Sequence, residues 1–274
     1  MKKFLSVLLA LGLAVSATAC AGGASSSSEA ASSSEPEATP AVESEPATSE
    51  EAAPSGEVMS YDEYMAAAVD DAVTIESCVQ AKQSYYAEQG TATVYLQDEN
   101  GAYFAYDMAC TQDEYDQMTE GTRIRVSGYK AEWSGEVEIM DGKLDEILDG
   151  DTYVAEPLDV TELLGTDELE SHQNQKVSFT GLTVAPSTIE GDDTEYAFLY
   201  NYDGSGAQGD DLYFNVEYNG ATYTFVVESY LCDSESEVYK AVEALEVGQT
   251  IDCEGFLYWY EGINPHITSV TVNG

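Results

Sequence analysis

The sequence contains few basic residues. Nine Lys and Arg stand against 52 Asp and Glu in 274 residues, and the formal net charge is −43. Proteins that bind nucleic acid usually present a basic surface, because contacts with phosphates release counterions and so drive the association. A chain this acidic repels phosphates at long range, so the charge argues against nucleic acid as a partner.

Catalytic and metal-binding motifs are also missing from the sequence. Only two histidines are present, His172 and His266, and neither belongs to a nucleophile motif. No G-x-S-x-G, H-E-x-x-H or phosphate-binding loop occurs, and no C-x-x-C pair is found. The segment from Asn201 to Gly206 is similar to the start of an EF-hand loop, but Leu212 replaces the bidentate glutamate. We therefore expect a non-enzymatic protein with no cofactor and no metal site.

The N-terminus has the pattern of an export signal. Met1-Lys2-Lys3 precedes an uncharged apolar run from Phe4 to Ala19, which is typical of a secretory signal and too short for a transmembrane helix. Ala17-Thr18-Ala19-Cys20 resembles the lipobox of bacterial lipoproteins, which implies lipid on Cys20 after cleavage. The alternative is an ordinary secretory signal with a chance cysteine. We expect residues 1–20 to be a lipoprotein signal peptide and the protein to be anchored to the extracytoplasmic face of the cell membrane.

The next segment has the composition of a spacer. Residues 21–57 are almost entirely Ala, Ser, Glu, Pro, Gly and Thr, with no aromatic or basic residue. Such a composition cannot bury enough apolar surface to offset the loss of chain entropy. The sequence predicts a disordered acidic tether with an r.m.s. span of roughly 30–35 Å.

An internal repeat follows the tether. In each copy an Asn-Gly pair, Asn100-Gly101 or Asn219-Gly220, lies between alternating apolar residues, which predicts a hairpin with a type I′ turn. Each hairpin is followed by a cysteine, a short helical segment, a strand, a Trp-Gly loop and a last strand. A further strand precedes each hairpin, at 72–81 and 176–185. Helical candidates come before these strands, one from Ser60 to Val69 with a capping box and one opening near Thr166.

This order of elements resembles the OB-fold, a five-stranded barrel with a helix between its third and fourth strands. The resemblance covers residues 58–274 as two copies and rests on element order and turn positions. It implies a mainly β protein with short helices: one OB-like barrel in residues 58–157, and a linker helix with a second barrel in residues 158–274. A predicted insertion at 186–211, with an added strand at 196–202, distinguishes the second copy. The whole chain resembles surface lipoproteins of Gram-positive bacteria. This resemblance implies a location at the cell surface and no activity.

Aromatic residues fall where OB-folds bind ligands, on strands two and three and in the flanking loops. Their flat faces suit sugar rings and nucleobases, and acidic neighbours favour sugar hydroxyls over phosphates. The alternative is that these rings pack barrel ends and cross-strand pairs. The candidate ligand contacts are Tyr85, Tyr86, Tyr103, Trp133, Tyr223, Tyr258, Trp259 and Tyr260.

Four cysteines follow Cys20. Export permits disulfides, and four cysteines allow three pairings. One bridge in each repeat, Cys78–Cys110 and Cys232–Cys253, is the preferred pairing, with free thiols as the alternative.

The sequence leads to three functional hypotheses. The first is a lipid-anchored cell-surface binding module for an oligosaccharide or another extracellular ligand. The second is a structural lipoprotein that docks onto a protein partner in the cell envelope. The third is an accessory nucleic-acid-binding OB protein, which rests on the fold alone.

Overall fold

The computed structural model describes residues 56–273. The predicted signal peptide, Cys20 and nearly all of the predicted tether lie outside the described residues. Within residues 56–273, no helix combines the length and the apolar character needed to span a bilayer.

The first half of the described chain forms a closed five-stranded barrel. The strands close in the order β1-β2-β3-β5-β4. β3 and β5 pair in parallel and the other neighbours are antiparallel, and α2 connects β3 to β4. This is the strand order of an OB-fold. The elements are α1 Tyr61–Ala66, β1 Ala72–Lys82, β2 Thr91–Gln97, β3 Ala102–Ala109, α2 Gln112–Gln117, β4 Arg123–Trp133 and β5 Glu136–Ile147.

The second half repeats this topology. Its ring runs β7-β11-β12-β10-β9 and is closed by pairing of β7 with β9, while β6 and β8 add two-residue strands outside the ring. β10 and β12 are the parallel pair, and α3 occupies the place of α2. The predicted fold class, mainly β with two OB-like barrels, is confirmed. The elements are β6 Leu158–Asp159, β7 Lys176–Ala185, β8 Leu199–Tyr200, β9 Leu212–Tyr218, β10 Ala221–Val227, α3 Glu237–Glu243, β11 Thr250–Phe256 and β12 His266–Asn273.

The helix preceding the first barrel begins as predicted but ends early. Ser60 and Glu63 form the predicted capping box, yet α1 stops at Ala66 instead of Val69. Lys130 of β4 explains the end point, because its ammonium donates hydrogen bonds to the backbone oxygens of the last turn. The Nζ–O distances are 3.0, 2.8 and 2.9 Å to Tyr64, Met65 and Ala67 respectively. A buried cation therefore satisfies carbonyl groups that have no partner within the helix.

The two Asn-Gly turns differ. Asn219 and Gly220 have φ angles of 53° and 80°, as a type I′ turn requires. In the first repeat neither residue has a positive φ, because the Asp98 carboxylate accepts hydrogen bonds from the backbone N–H groups of both Asn100 and Gly101. The type I′ prediction is wrong there. Gly101 is required for another reason: a Cβ would lie 2.3 Å from the ring of Tyr61.

Of two further predictions for the second repeat, one is wrong and one is confirmed only in part. The predicted linker helix near Thr166 forms two short 3₁₀ turns instead, Thr161–Leu163 and Leu169–His172. Gly165 lies between them with a φ of +81°, a conformation that interrupts a helix. In the insertion, the strand expected over residues 196–202 is reduced to the two residues of β8.

The barrels pack against each other through outward-facing side chains. Tyr95 and Phe104 of the first barrel form a buried cluster with Phe256 of the second, and Tyr95 stacks on Phe256 with ring centroids 4.6 Å apart. Polar contacts flank this cluster: the Gln173 amide donates to Gly135 O at 2.8 Å, and its oxygen accepts from Val137 N at 2.9 Å. The packing fixes the outward faces of the two barrels on either side of a cleft.

Candidate ligand-binding cleft

The first wall of the cleft is the outward face of β2 and β3. Side chains alternate along a strand, so Val94 and Ala105 fill the barrel core while Thr93 of β2, and Phe104 and Tyr106 of β3, line the cleft. The loop between β1 and β2 extends this wall with Gln83, Ser84, Tyr85, Tyr86 and Gln89.

The second wall is the equivalent face of the second barrel. Phe214 and Phe225 point into the core, whereas Tyr213 of β9, Thr224 and Val226 of β10 line the cleft. The β7–β9 loop and the β11–β12 loop complete the wall with Thr188, Tyr202, Tyr258, Tyr260 and Asn264. Both barrels thus present to one cleft the strand face on which OB-folds bind their ligands.

The cleft is large and has an aromatic rim. Its volume is about 1310 Å³, above the range of roughly 300–1,000 Å³ typical of sites for small ligands. Three tyrosines on the rim leave most of their surface open to solvent: Tyr202 is 77% exposed, Tyr230 67% and Tyr260 51%. A cleft of this size and lining suits an extended ligand with several flat groups.

The charged side chains that line the cleft are acidic. Asp107, Asp211 and Glu228 line the cleft, and no Lys or Arg does so among residues 56–273. Burial, reinforced by the charge of Asp211, raises the pKa of Glu228 to about 7. The carboxylate of Asp211 accepts hydrogen bonds from Ser229 N at 2.8 Å and Ser229 Oγ at 2.7 Å, which fixes the backbone next to Glu228. Among residues 56–273, no group of three or more metal-binding side chains occurs.

His266 lies at the floor of the cleft. It is 7% exposed, and burial lowers its pKa to about 3, so the ring is neutral at physiological pH. Its Nδ1 lies 2.5 Å from the hydroxyl oxygen of Tyr95. The ring of Tyr258 stacks on the imidazole at a centroid distance of 4.2 Å.

The structure separates the predicted ligand contacts into two groups. Tyr85, Tyr86, Tyr258 and Tyr260 line the cleft. The other four do not line the cleft. Tyr103 is buried in the first barrel against Tyr61 and Tyr64. The remaining three are Trp133, Tyr223 and Trp259.

Those three residues have different surroundings. Trp133 is 60% exposed at the β4–β5 hairpin. Tyr223 and Trp259 pack against the core of the second barrel, and the backbone N–H of Trp259 donates to Glu136 of the first barrel at 2.9 Å. Trp259 therefore connects the barrels from outside the cleft.

Several cleft residues were not among the sequence-based candidates. Tyr106 and Tyr213 follow from strand alternation, because each neighbours an inward-facing residue on a ligand-face strand. Tyr202 and Tyr230 lie in loops, where no periodicity marks them. Both belong to the second barrel and are exposed on the cleft rim.

The four cysteines within the described range are free thiols. Cys78 and Cys253 are buried, and Cys110 and Cys232 are half-buried. The predicted pairings, Cys78–Cys110 and Cys232–Cys253, are not formed in this structure. Burial raises the pKa of Cys110 and of Cys232 to about 11, so both thiols are protonated near neutral pH.

Comparison with known proteins gives structural matches alone. No protein-family model matches the sequence, and no curated protein matches it. Among solved structures, the chain is similar to the HINa domain of Ifi202 in complex with a 20-bp double-stranded DNA, with 14% identity, a TM-score of 0.32 and coverage of 74% of this chain and 98% of that one. It is also similar to a replication protein A heterotrimer bound to single-stranded DNA, with 13% identity, a TM-score of 0.29 and coverage of 74% of this chain and 49% of that one.

These comparisons contradict two predictions made from the sequence. One is that the chain is a surface module for an oligosaccharide or another extracellular ligand. The other is that a glycan or an envelope protein is the partner and nucleic acid is disfavoured. The similar structures include complexes with double-stranded and single-stranded DNA.

Proposed function

We propose that the paired barrels bind single-stranded nucleic acid through its bases, in the cleft that their outward faces share. The observation that carries this proposal is the convergence of both OB ligand faces on one cleft with an aromatic rim. Base–aromatic stacking contributes about 1–3 kcal/mol per base in proteins that bind single strands. Bases of a single strand are free to stack, whereas those of a duplex are already paired.

The acidic lining determines how such a strand must lie. Phosphates are repelled by Asp107, Asp211 and Glu228, so the bases insert between the tyrosines and the backbone stays at the solvent-exposed mouth. Most nucleic-acid-binding proteins lose affinity as salt rises, because salt weakens their phosphate contacts. Here salt screens a repulsion. Affinity is therefore expected to increase with ionic strength.

Fluorescence anisotropy of a labelled single-stranded oligonucleotide tests this proposal with the full chain. We expect saturable binding that strengthens between about 50 mM and about 500 mM salt. Tyr106→Ala and Tyr260→Ala, one in each wall, should each weaken binding about 5- to 150-fold through lost stacking. The corresponding Phe variants should retain binding.

Trp133→Ala is the matched control for these variants. It removes an exposed ring that lies outside the cleft, so it should leave the affinity unchanged. Absence of binding at every salt concentration would overturn the proposal, and equal losses in Trp133→Ala and the cleft variants would remove the cleft from it.

We also propose that lipid on Cys20 holds the protein at the extracytoplasmic face of a membrane, with residues 21–57 as a spacer. The support is the lipobox-like Ala17-Thr18-Ala19-Cys20 and the composition of the following segment, together with the resemblance to surface lipoproteins of Gram-positive bacteria. Cys20→Ala should release the protein from the membrane fraction. Retention of that variant in the membrane fraction would refute lipid anchoring at this residue.

We propose that the protein acts by binding and not by catalysis. The support is the lack of a nucleophile motif in the sequence and the engagement of His266 Nδ1 with Tyr95. Oligonucleotide recovered after prolonged incubation should have an unchanged mass. A shortened or modified product that is absent from a Glu228→Gln preparation would contradict this.

A further inference from the structure

We infer that the floor of the cleft selects guanine, with Glu228 accepting hydrogen bonds from the N1–H and 2-amino groups and His266 donating to O6. This inference rests on the proposed function, because it names the base that the same cleft prefers. Guanine is the base whose pairing edge presents one acceptor followed by two donors. A carboxylate accepts two parallel hydrogen bonds, and such bonds give high discrimination when they are made in a partly buried site.

Glu228 is placed to accept hydrogen bonds from a ligand. It is the first residue after β10 and follows Thr224 and Val226 at two-residue spacing, and all three line the cleft. Its Oε2 accepts one hydrogen bond, from the backbone N–H of Leu231 at 2.9 Å. A carboxylate has about four acceptor positions, so acceptor capacity remains for a ligand.

His266 supplies the complementary donor. The hydroxyl oxygen of Tyr95 lies 2.5 Å from His266 Nδ1 and 3.4 Å from Gln83 Nε2, and we assign the proton of the shorter contact to the Tyr95 hydroxyl. This arrangement leaves the imidazole proton on Nε2. Among residues 56–273 that nitrogen has no hydrogen-bond partner, although the residue is more than nine-tenths buried and lines the cleft.

The spacing of the two groups suits one base edge. Val226 is the Cα partner of His266 across the parallel β10–β12 pair, and Glu228 lies two residues further along. At about 3.3 Å per residue along the strand and about 4.8 Å between strands, the two Cα positions are about 8 Å apart. A purine edge with a hydrogen bond at each end bridges such a distance. Thymine and uracil place carbonyl oxygens on both sides of their single donor, and a carboxylate repels those oxygens.

Competition against a labelled oligothymidylate tests the inference with the full chain. The competitors are guanosine, inosine, which lacks the 2-amino group, and cytidine, together with an oligonucleotide containing guanine. We expect guanosine to compete about tenfold better than inosine, the ratio that one lost hydrogen bond of about 1.4 kcal/mol gives. The guanine-containing strand should outcompete the oligothymidylate.

Glu228→Gln should reduce the guanosine-to-inosine ratio to about one, because an amide has one acceptor oxygen and cannot receive both donors. Glu254→Gln on β11, an exposed glutamate outside the cleft, is the matched control and should keep the ratio of the unmodified protein. The comparison of guanosine with inosine on the unmodified protein needs no variant, so it remains decisive if Glu228→Gln does not fold.

The outcomes separate this inference from the proposed function. Equal competition by guanosine and inosine, with the oligothymidylate bound, overturns guanine selection and leaves base binding intact. No binding of any strand or nucleoside overturns both. Binding of guanosine in a direct calorimetric titration, without binding of any strand, supports guanine selection for a free nucleoside and overturns the proposal of a nucleic-acid strand as ligand.

Discussion

Replacing Glu136 by glutamine should change how the stability of the protein depends on pH. Glu136 is fully buried on β5, where its Oε2 accepts a hydrogen bond from Trp259 N at 2.9 Å. Its Oε1 is buried without a partner among the described residues. Burial raises the pKa of this carboxyl from 4.5 to about 9. The folded protein therefore keeps Glu136 protonated at neutral pH, whereas the unfolded chain ionises it.

The sign and size of the effect follow from this difference. Between the two pKa values the folded state binds one more proton than the unfolded state, so the free energy of unfolding decreases as pH rises. One proton corresponds to about 1.4 kcal/mol per pH unit. From about pH 5 to about pH 8 the unmodified protein should lose up to about 4 kcal/mol that Glu136→Gln retains. The amide oxygen of glutamine preserves the hydrogen bond from Trp259.

Equilibrium urea unfolding followed by circular dichroism measures this difference. The two proteins should have similar stability near pH 5, and their curves of unfolding free energy against pH should diverge steadily toward about pH 8. Burial also raises the pKa of Glu138 to about 7, but that residue is present in both proteins and cancels in the comparison. Glu254→Gln should give a curve parallel to that of the unmodified protein. A parallel curve for Glu136→Gln would refute the argument from burial.

Three further predictions concern the barrel interface, the helix end and the cleft. Gly135→Val should destabilise the protein by about 1–3 kcal/mol and shift its tryptophan fluorescence, since a Cβ would lie 2.8 Å from the Trp259 ring. Gly209→Val is the control, because Gly209 also has a positive φ but has open space around it. This control should show no such fluorescence shift. Lys130→Met should lower the free energy of unfolding in urea by about 1–3 kcal/mol and speed amide exchange in α1, because three carbonyl oxygens lose their donor. An unchanged exchange rate would contradict this. Guanosine affinity measured by competition should fall between about pH 8 and about pH 6, as Glu228, with its pKa near 7 beside Asp211, takes up a proton; a flat profile would exclude a role for its ionised form.

The barrels were predictable because their signals are local. Alternation of apolar residues identified the inward faces of the strands, and the repeat of element order identified two copies of one topology. The capping box at Ser60 and the turn at Asn219 are each set by a few neighbouring residues, and the structure has both. The first Asn-Gly turn was mispredicted because Asp98 offers the backbone an alternative hydrogen-bonded turn.

The cleft was less predictable because it depends on contacts between distant parts of the chain. Tyr95 and Phe104 occupy outward positions, which alternation alone marks as solvent-facing, yet the second barrel buries them. Trp259 lies in the expected loop but packs against its own barrel core. The alternation of residues within one β-strand specifies which face points outward. It carries no information about what covers that face.

Photocrosslinking of an oligonucleotide that carries halogenated uracil shows where the bases lie on the protein. If the bases bind in the cleft, crosslinks should form to tyrosines of both walls, Tyr106 in the first barrel and Tyr213 or Tyr260 in the second, as identified by mass spectrometry of the digested protein. Crosslinks confined to β4, at Arg123 and Arg125 outside the cleft, would contradict base binding in the cleft. A complete absence of crosslinks under conditions where the strand is bound would contradict it as well.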